Sequence, residues 1–336
     1  MNSDRLHGDA AAGAREVAAE LLDTAAQAAR RLTAGERDAV HDFRVAVRRL
    51  HSWLQAWSPP LHPGRRNLRR MRRLARATDA ARDAEVALDW IDRQRKGLAP
   101  DERVGARRLA RRVEARRTRG LRRARRRVAD RWPRLERRLR RRLARSTEPA
   151  GVEFGHAAGT LVLAQAERLE RALESLHGPR RGRREHRARL RAKRLRYLLE
   201  PLGAQTPAMP VAAGVGRALA DLKALQDLLG ELQDLRVLAA RLRAAARRAG
   251  GAGGRGRVDA ALHGAPDAYP GAATDADSLP GLLALARTVG VRRARCRDGL
   301  HRRCADGGAV ATARGVGVAL APKDEEPVRR GIARAR

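Results

Sequence analysis

Apolar residues in this chain recur three and four positions apart and almost never alternate, and that spacing constrains the fold more than any other feature. In "VHDFRVAVRRLHSWLQAW", residues 40–57, Phe43, Val47, Leu50, Leu54 and Trp57 fall on one side of a helix turning about 100° per residue. Leu, Ala and Arg dominate throughout, while β-branched and aromatic residues are sparse, so the expectation is an all-α protein. Breakers at 32–36, 58–64, 96–102, 146–151, 177–182 and 203–210 separate predicted helices over 14–32, 36–57, 65–95, 101–145, 153–176, 183–202, 211–249 and 279–304. Residues 250–278, rich in Gly, Ala, Pro and Asp, read as a flexible loop, and 306–336 as a basic, disordered tail.

Four helices, a Pro/Gly break and four more helices invite a search for a repeat, and one is present. "VHDFRVAVRRLHSWLQ" aligns with "EHRARLRAKRLRYLLE" at an offset of 145, pairing His41 with His186, Arg44 with Arg189, Arg48 with Lys193 and Arg49 with Arg194. "LRRMRRLARATDAARDAEV" aligns with "LADLKALQDLLGELQDLRV" at an offset of 151, pairing Arg72 with Lys223 and Asp83 with Asp234. One helical hairpin is therefore written twice.

Charge says what such helices meet. Lys+Arg number 74 against 38 Asp+Glu, a formal +36 over 336 residues, which draws polyanions and repels cations. A guanidinium offers two phosphate oxygens a planar fork, so phosphate is the favoured anion. Aromatics at 2% provide little platform for stacking single-stranded bases, which weakens a nucleic-acid reading without removing it. Cys296 and Cys304 form neither a disulfide framework nor a zinc motif, and a reducing cytoplasm fits them. The start lacks a signal sequence and no apolar run is long enough to span a bilayer, so no membrane role is expected.

Opposite the apolar stripe of 40–57 stand His41, Arg44, Arg48 and His51; the second copy repeats this with His186, Arg189, Lys193, Arg196 and Tyr197. A solvated face is the plain alternative. Crowded like charges cost folding energy unless something neutralises them, however, and a pattern kept in both halves favours binding. An imidazole among arginines can donate to phosphate, so binding is expected to strengthen as pH falls through the histidine range. Arg44 and Arg189 occupy the helical positions a second metal ligand would need, so no metal or cofactor is expected. Asp83 and Asp234, lone carboxylates in matching phrases, read as supports that hold an arginine of the neighbouring basic helix, and no converging acid pair suggests catalysis. The arginine-rich stretch 103–145 serves equally well as a solvated element or a wider electrostatic footprint, and Pro133 should kink or break it.

These phrases resemble the CHAD domain, the conserved histidine α-helical domain, over roughly 10–305. "HDFRVAVRRLH" and "HRARLRAKRLRYLLE" are similar to its two basic runs, and "ATDAARDAEV" and "LQDLLGELQDLRV" to the motifs that follow them. The resemblance implies two four-helix bundles, 10–148 and 151–305, related by a pseudo-twofold, with a basic surface that binds inorganic polyphosphate and, in bacteria, association with polyphosphate granules. By position, the binding set it implies is His41, Arg44, Arg48 and Arg49 with His186, Arg189, Lys193 and Arg194, supplemented by Arg72, Arg73, Arg196 and Lys223, with Tyr197 as support. His51 stands where the family has the last arginine of the first run. No glutamate-alternating strand of the triphosphate-tunnel (CYTH) kind is present, so a stand-alone, non-catalytic binder is expected. Non-specific binding of DNA or RNA is the alternative, on charge alone.

Overall fold

The structure, a computed structural model, describes residues 3–36, 38–145, 150–176, 181–205, 211–265 and 278–321. These form helices α1 (Ser3–His7), α2 (Ala10–Ala34), α3 (Ala39–Ala56), α4 (Ser58–Leu61), α5 (Arg65–Ala77) and α6 (Asp79–Arg95). There follow α7 (Glu102–Leu143), α8 (Phe154–Glu174), α9 (Arg181–Gln205), α10 (Val211–Leu262), α11 (Leu279–Ala305) and α12 (Gly308–Leu320). Among the described residues there is no strand; one isolated bridge joins Asp9 and Glu153.

The chain divides into two compact units: Met1–Ala77 with Ala124–Asp227 and Arg303–Arg336, and Thr78–Arg123 with Leu228–Arg302. Each unit draws on both halves of the repeat, and neither coincides with 10–148 or 151–305. In the first unit the starts of α2 and α8 are tied together. Ala10 N donates to Val152 O (2.9 Å) and Phe154 N to Gly8 O (2.8 Å), while Asp9 caps α2 by accepting from Ala12 N at 2.9 Å. The core above this junction is aromatic: Trp57 stacks on Phe154 at 5.2 Å, Trp53 meets Trp57 at 5.6 Å, and Trp53 Nε1 donates to Ala14 O at 2.9 Å. Nearer the start of α3, Phe43 and Trp132 of α7 meet in a T-shaped contact at 5.6 Å. Phe43, Val47, Leu50, Leu54 and Trp57 are all buried, as the spacing predicts.

Four local differences from the sequence reading have physical causes. The single helix expected over 65–95 is two, α5 and α6, parted at Thr78, a β-branched residue whose side chain is fully buried and whose carbonyl accepts from Arg82 N at 3.1 Å. α7 runs through Pro133 without a break. The expected loop at 250 is a break and not a long loop: Gly250 and Gly251 leave helical geometry, Gly251 at φ 58°, but helix resumes to Leu262, while 266–277 lie outside the described residues. Residues 308–320 of the expected disordered tail form α12, with Ala309, Val310, Ala313, Val316, Gly317 and Leu320 buried; the remainder of the tail, 322–336, lies outside the described residues.

α12 packs on α8 because glycine permits it. A Cβ on Gly159 would lie 2.7 Å from Gly317 O and 2.8 Å from Ala321 N, so the two backbones touch where side chains are absent. Arg314 Nη1 donates to Glu170 Oε1 at 3.0 Å, which fixes the rotation of α12. In the second unit, a Cβ on Gly120 would lie 2.9 Å from Ala81 N, so α7 and α6 approach equally closely there.

Candidate anion-binding site

α3 and α9, the two copies of the basic run, both belong to the first compact unit. Their cations gather around Lys193, which feels the charges of Arg44 and Arg48 from α3 and of Arg189 and Arg196 from its own helix. Burial first, and then this crowd of guanidinium groups, presses the Lys193 amine down to about 7 from an ordinary 10.5. Arg44 is buried, with Nη1 3.4 Å from Ala75 O of α5, so part of its stem and head serves the helix junction.

A second set lies around His51 and Arg194. Burial, then Arg72 of α5 and Arg194 of α9, lowers the His51 imidazole to about 4. Arg194 is itself depressed by burial and then by Arg191, Arg168 and Arg72. At 100° per residue, Arg189, Lys193 and Arg196 occupy about 60° of the α9 circumference, and Arg187, Arg191 and Arg194 a similar arc nearly opposite. The repeat pairs Arg48 with Lys193 and Arg49 with Arg194 as neighbours in one surface. In the structure the first pair stays together, while Arg194 turns to the His51 set.

Arg49 is held by a residue that the sequence reading did not single out. Glu200 Oε2 lies 2.7 Å from Arg49 Nε, and its Oε1 lies 2.9 Å from Arg196 Nε. Neither Nε–H points along that line, so the contacts are ion pairs and not well-formed hydrogen bonds. The ring of Tyr197, buried beneath, has the Arg196 guanidinium carbon 5.6 Å and that of Arg49 6.0 Å from its centre. One carboxylate thus neutralises one arginine from each copy. Its signal was present as a glutamate four residues after Arg196 in "RLRYLLE". Gln226, from "LQDLLG", was likewise missed; it is buried, and its Nε2 donates to Ala192 O at 2.9 Å, fastening α10 to the turn of α9 that carries Lys193.

The remaining expected residues are placed as follows. His41 and His186 are exposed, each three residues before the arginine of its copy. Arg73 is exposed on α5 beside Arg72. Lys223 is exposed on α10 and pairs with Asp227 at 2.8 Å. Asp83 supports the charge of Arg241, and both belong to the second unit; Asp234 is exposed on α10 in that unit.

Chemically, the Lys193 set is a collection of forked donors and one proton-exchanging amine, a grouping that suits an anion. Among the described residues no three His, Cys, Asp or Glu side chains converge as a metal group, and no helix is long and apolar enough to cross a membrane. Residues 16–243 match the CHAD domain family. The structure resembles the crystal structure of the CHAD domain from the plant Ricinus communis, with a TM-score of 0.58 and 18% sequence identity, covering 92% of this chain and 93% of that one. No curated protein matches the sequence.

Proposed function

The chain belongs to the CHAD domain family, a family associated with polyphosphate binding, and on that premise we propose that it binds inorganic polyphosphate without catalysis. The ligand lies along the cations of α3 and α9, with Lys193 at the centre and Arg44, Arg48, Arg189 and Arg196 around it. His41 and His186 donate from the ends of the two copies, and binding brings the protein to polyphosphate granules. Supporting this reading is one observation: a half-buried lysine whose pKa is pressed down to about 7 by burial and then by four arginines drawn from the two basic helices. Such crowding lowers stability in the free protein and is relieved when closely spaced phosphates enter. Phosphate chains suit it better than isolated anions, because several forks can be met by one molecule.

Competition tests the reading. Labelled long-chain polyphosphate bound at physiological salt is challenged with duplex DNA or RNA at equal phosphate concentration; displacement by either would overturn it, and retention is expected. Prolonged incubation should release no orthophosphate. Replacing Arg48, Arg189 and Lys193 together should abolish binding of tripolyphosphate and sharply weaken that of the long polymer while leaving the helical signal intact.

A further inference from the structure

The Lys193 set accounts for few of the chain's arginines, and α7 carries many of the others. Within the first unit, α7 uses three arginines to hold the fold: Arg125 Nη2 donates to Gly35 O (3.0 Å), Arg142 Nη1 donates to His62 O (2.8 Å), and Arg140 pairs with Asp23 (2.7 Å). Five others do nothing of the kind. Arg127, Arg131, Arg134, Arg138 and Arg141 are all exposed and follow one another by four, three, four and three residues. That spacing keeps them within about 80° of arc along roughly 21 Å of helix. Among the described residues the one carboxylate they meet is Asp130, 3.6 Å from Arg131 and itself exposed. Trp132, Leu135 and Leu139, interleaved with them, are buried, and the edge-on contact of Trp132 with Phe43 anchors the helix so that the ladder stays turned to solvent.

We propose that this arginine ladder on α7 is a second binding track for long polyphosphate, separate from the Lys193 set and resting on the polyphosphate reading given above. A row of guanidinium groups in helical register costs self-repulsion that a surface with alternating charges would avoid. A single row of guanidinium groups on one helix favours a flexible linear chain, which can follow successive rungs, over a duplex, whose two phosphate lines are fixed by its own geometry. The absence of aromatic side chains among the five rungs argues against single-stranded nucleic acid, which gains its affinity from stacking. A chain held at one set and also gripped at the other gains by effective concentration, so the ladder should matter for long ligands and not for short ones.

The test compares wild type with a variant in which Arg127, Arg134, Arg138 and Arg141 are glutamine. Titrations use tripolyphosphate and polyphosphate of several hundred units, each at a series of salt concentrations. The variant is expected to bind tripolyphosphate as wild type does, to bind the long polymer about tenfold or more weakly, and to show a salt slope shallower by about three to four. Unchanged long-chain affinity and slope would overturn the second track. So would a variant that keeps long-chain polyphosphate but loses duplex DNA, which would assign the ladder to nucleic acid. Failure of wild type to bind either polyphosphate would instead sink the polyphosphate reading itself. All four positions are exposed, so folding is retained, and a matching thermal melt and helical signal verify it.

Discussion

Arg49 on α3 and Glu200 on α9 meet at 2.7 Å, and the same carboxylate holds Arg196 at 2.9 Å, so one acid joins the two copies of the basic run beside the Lys193 set. It shares its charge between two guanidinium groups that would otherwise repel. Glu200→Gln removes that charge without changing shape. The free protein should melt about 2–4 °C lower, corresponding to roughly 1 kcal/mol, because two partly buried arginines lose their counter-charge. The rise in Tm on adding saturating polyphosphate should exceed that of wild type, since the ligand then supplies what the carboxylate did. A ligand-induced rise no greater than that of wild type would show that Glu200 orients the arginines without standing in for an anion.

Lys193 predicts proton uptake. Its folded pKa of about 7 lies below the ordinary 10.5, so the folded protein holds fewer protons than the unfolded chain between those values. The penalty is absent above pH 10.5, grows as pH falls toward 7, and is complete below 7. An anion beside the amine raises its pKa, so polyphosphate binding at pH 8 should take up a proton. Calorimetric titration in two buffers of different ionisation enthalpy detects this as a buffer-dependent binding enthalpy. Lys193→Arg, charged at every accessible pH, should abolish the dependence; identical enthalpies for wild type in both buffers would refute the assignment.

How far sequence reaches is clear from these residues. The helical class, the apolar stripe from Phe43 to Trp57 and the pairing of Arg44 and Arg48 with Arg189 and Lys193 follow from periodicity and repetition, because a helix converts spacing directly into a face. Arg194 escaped that logic: two residues aligned in a repeat share a register but not a neighbourhood, and α9 is basic on two opposite sides. Glu200 and Gln226 escaped because each acts across helices, and such a contact leaves no periodic mark. α12 was misread as disordered because glycine and alanine read as loop, although Ala309, Val310, Ala313, Val316 and Leu320 keep helical spacing.

His51 carries an acid-sensitivity of the free protein. Its pKa of about 4 lies below the ordinary 6.5, through burial and then the charges of Arg72 and Arg194. Between pH 6.5 and 4 the unfolded chain therefore takes up a proton that the folded state resists, and stability falls as pH falls through that window. His51→Gln removes the effect. Melting curves at pH 7.5 and pH 4.5 should show wild type losing more Tm than the variant; equal losses would place the acid sensitivity elsewhere.

The crossing of α12 over α8 depends on two glycines. A side chain at Gly159 would place its Cβ 2.7 Å from Gly317 O and 2.8 Å from Ala321 N, and these are backbone atoms that cannot rotate aside. Gly159→Val must push α12 off its seat and expose Val310, Val316 and Leu320, at a cost of about 1–3 kcal/mol or more. Gly315→Ala, at a position where a Cβ meets nothing within 4 Å, supplies the control and should be neutral or slightly stabilising through its helix propensity. Limited proteolysis distinguishes the two: cleavage after Arg314, whose guanidinium is held by Glu170 in the docked helix, should accelerate in Gly159→Val and stay at the wild-type rate in Gly315→Ala. The Lys193 set lies on α3 and α9, so tripolyphosphate affinity should survive undocking of α12. Loss of that affinity in Gly159→Val alone would make α12 a support of the binding surface.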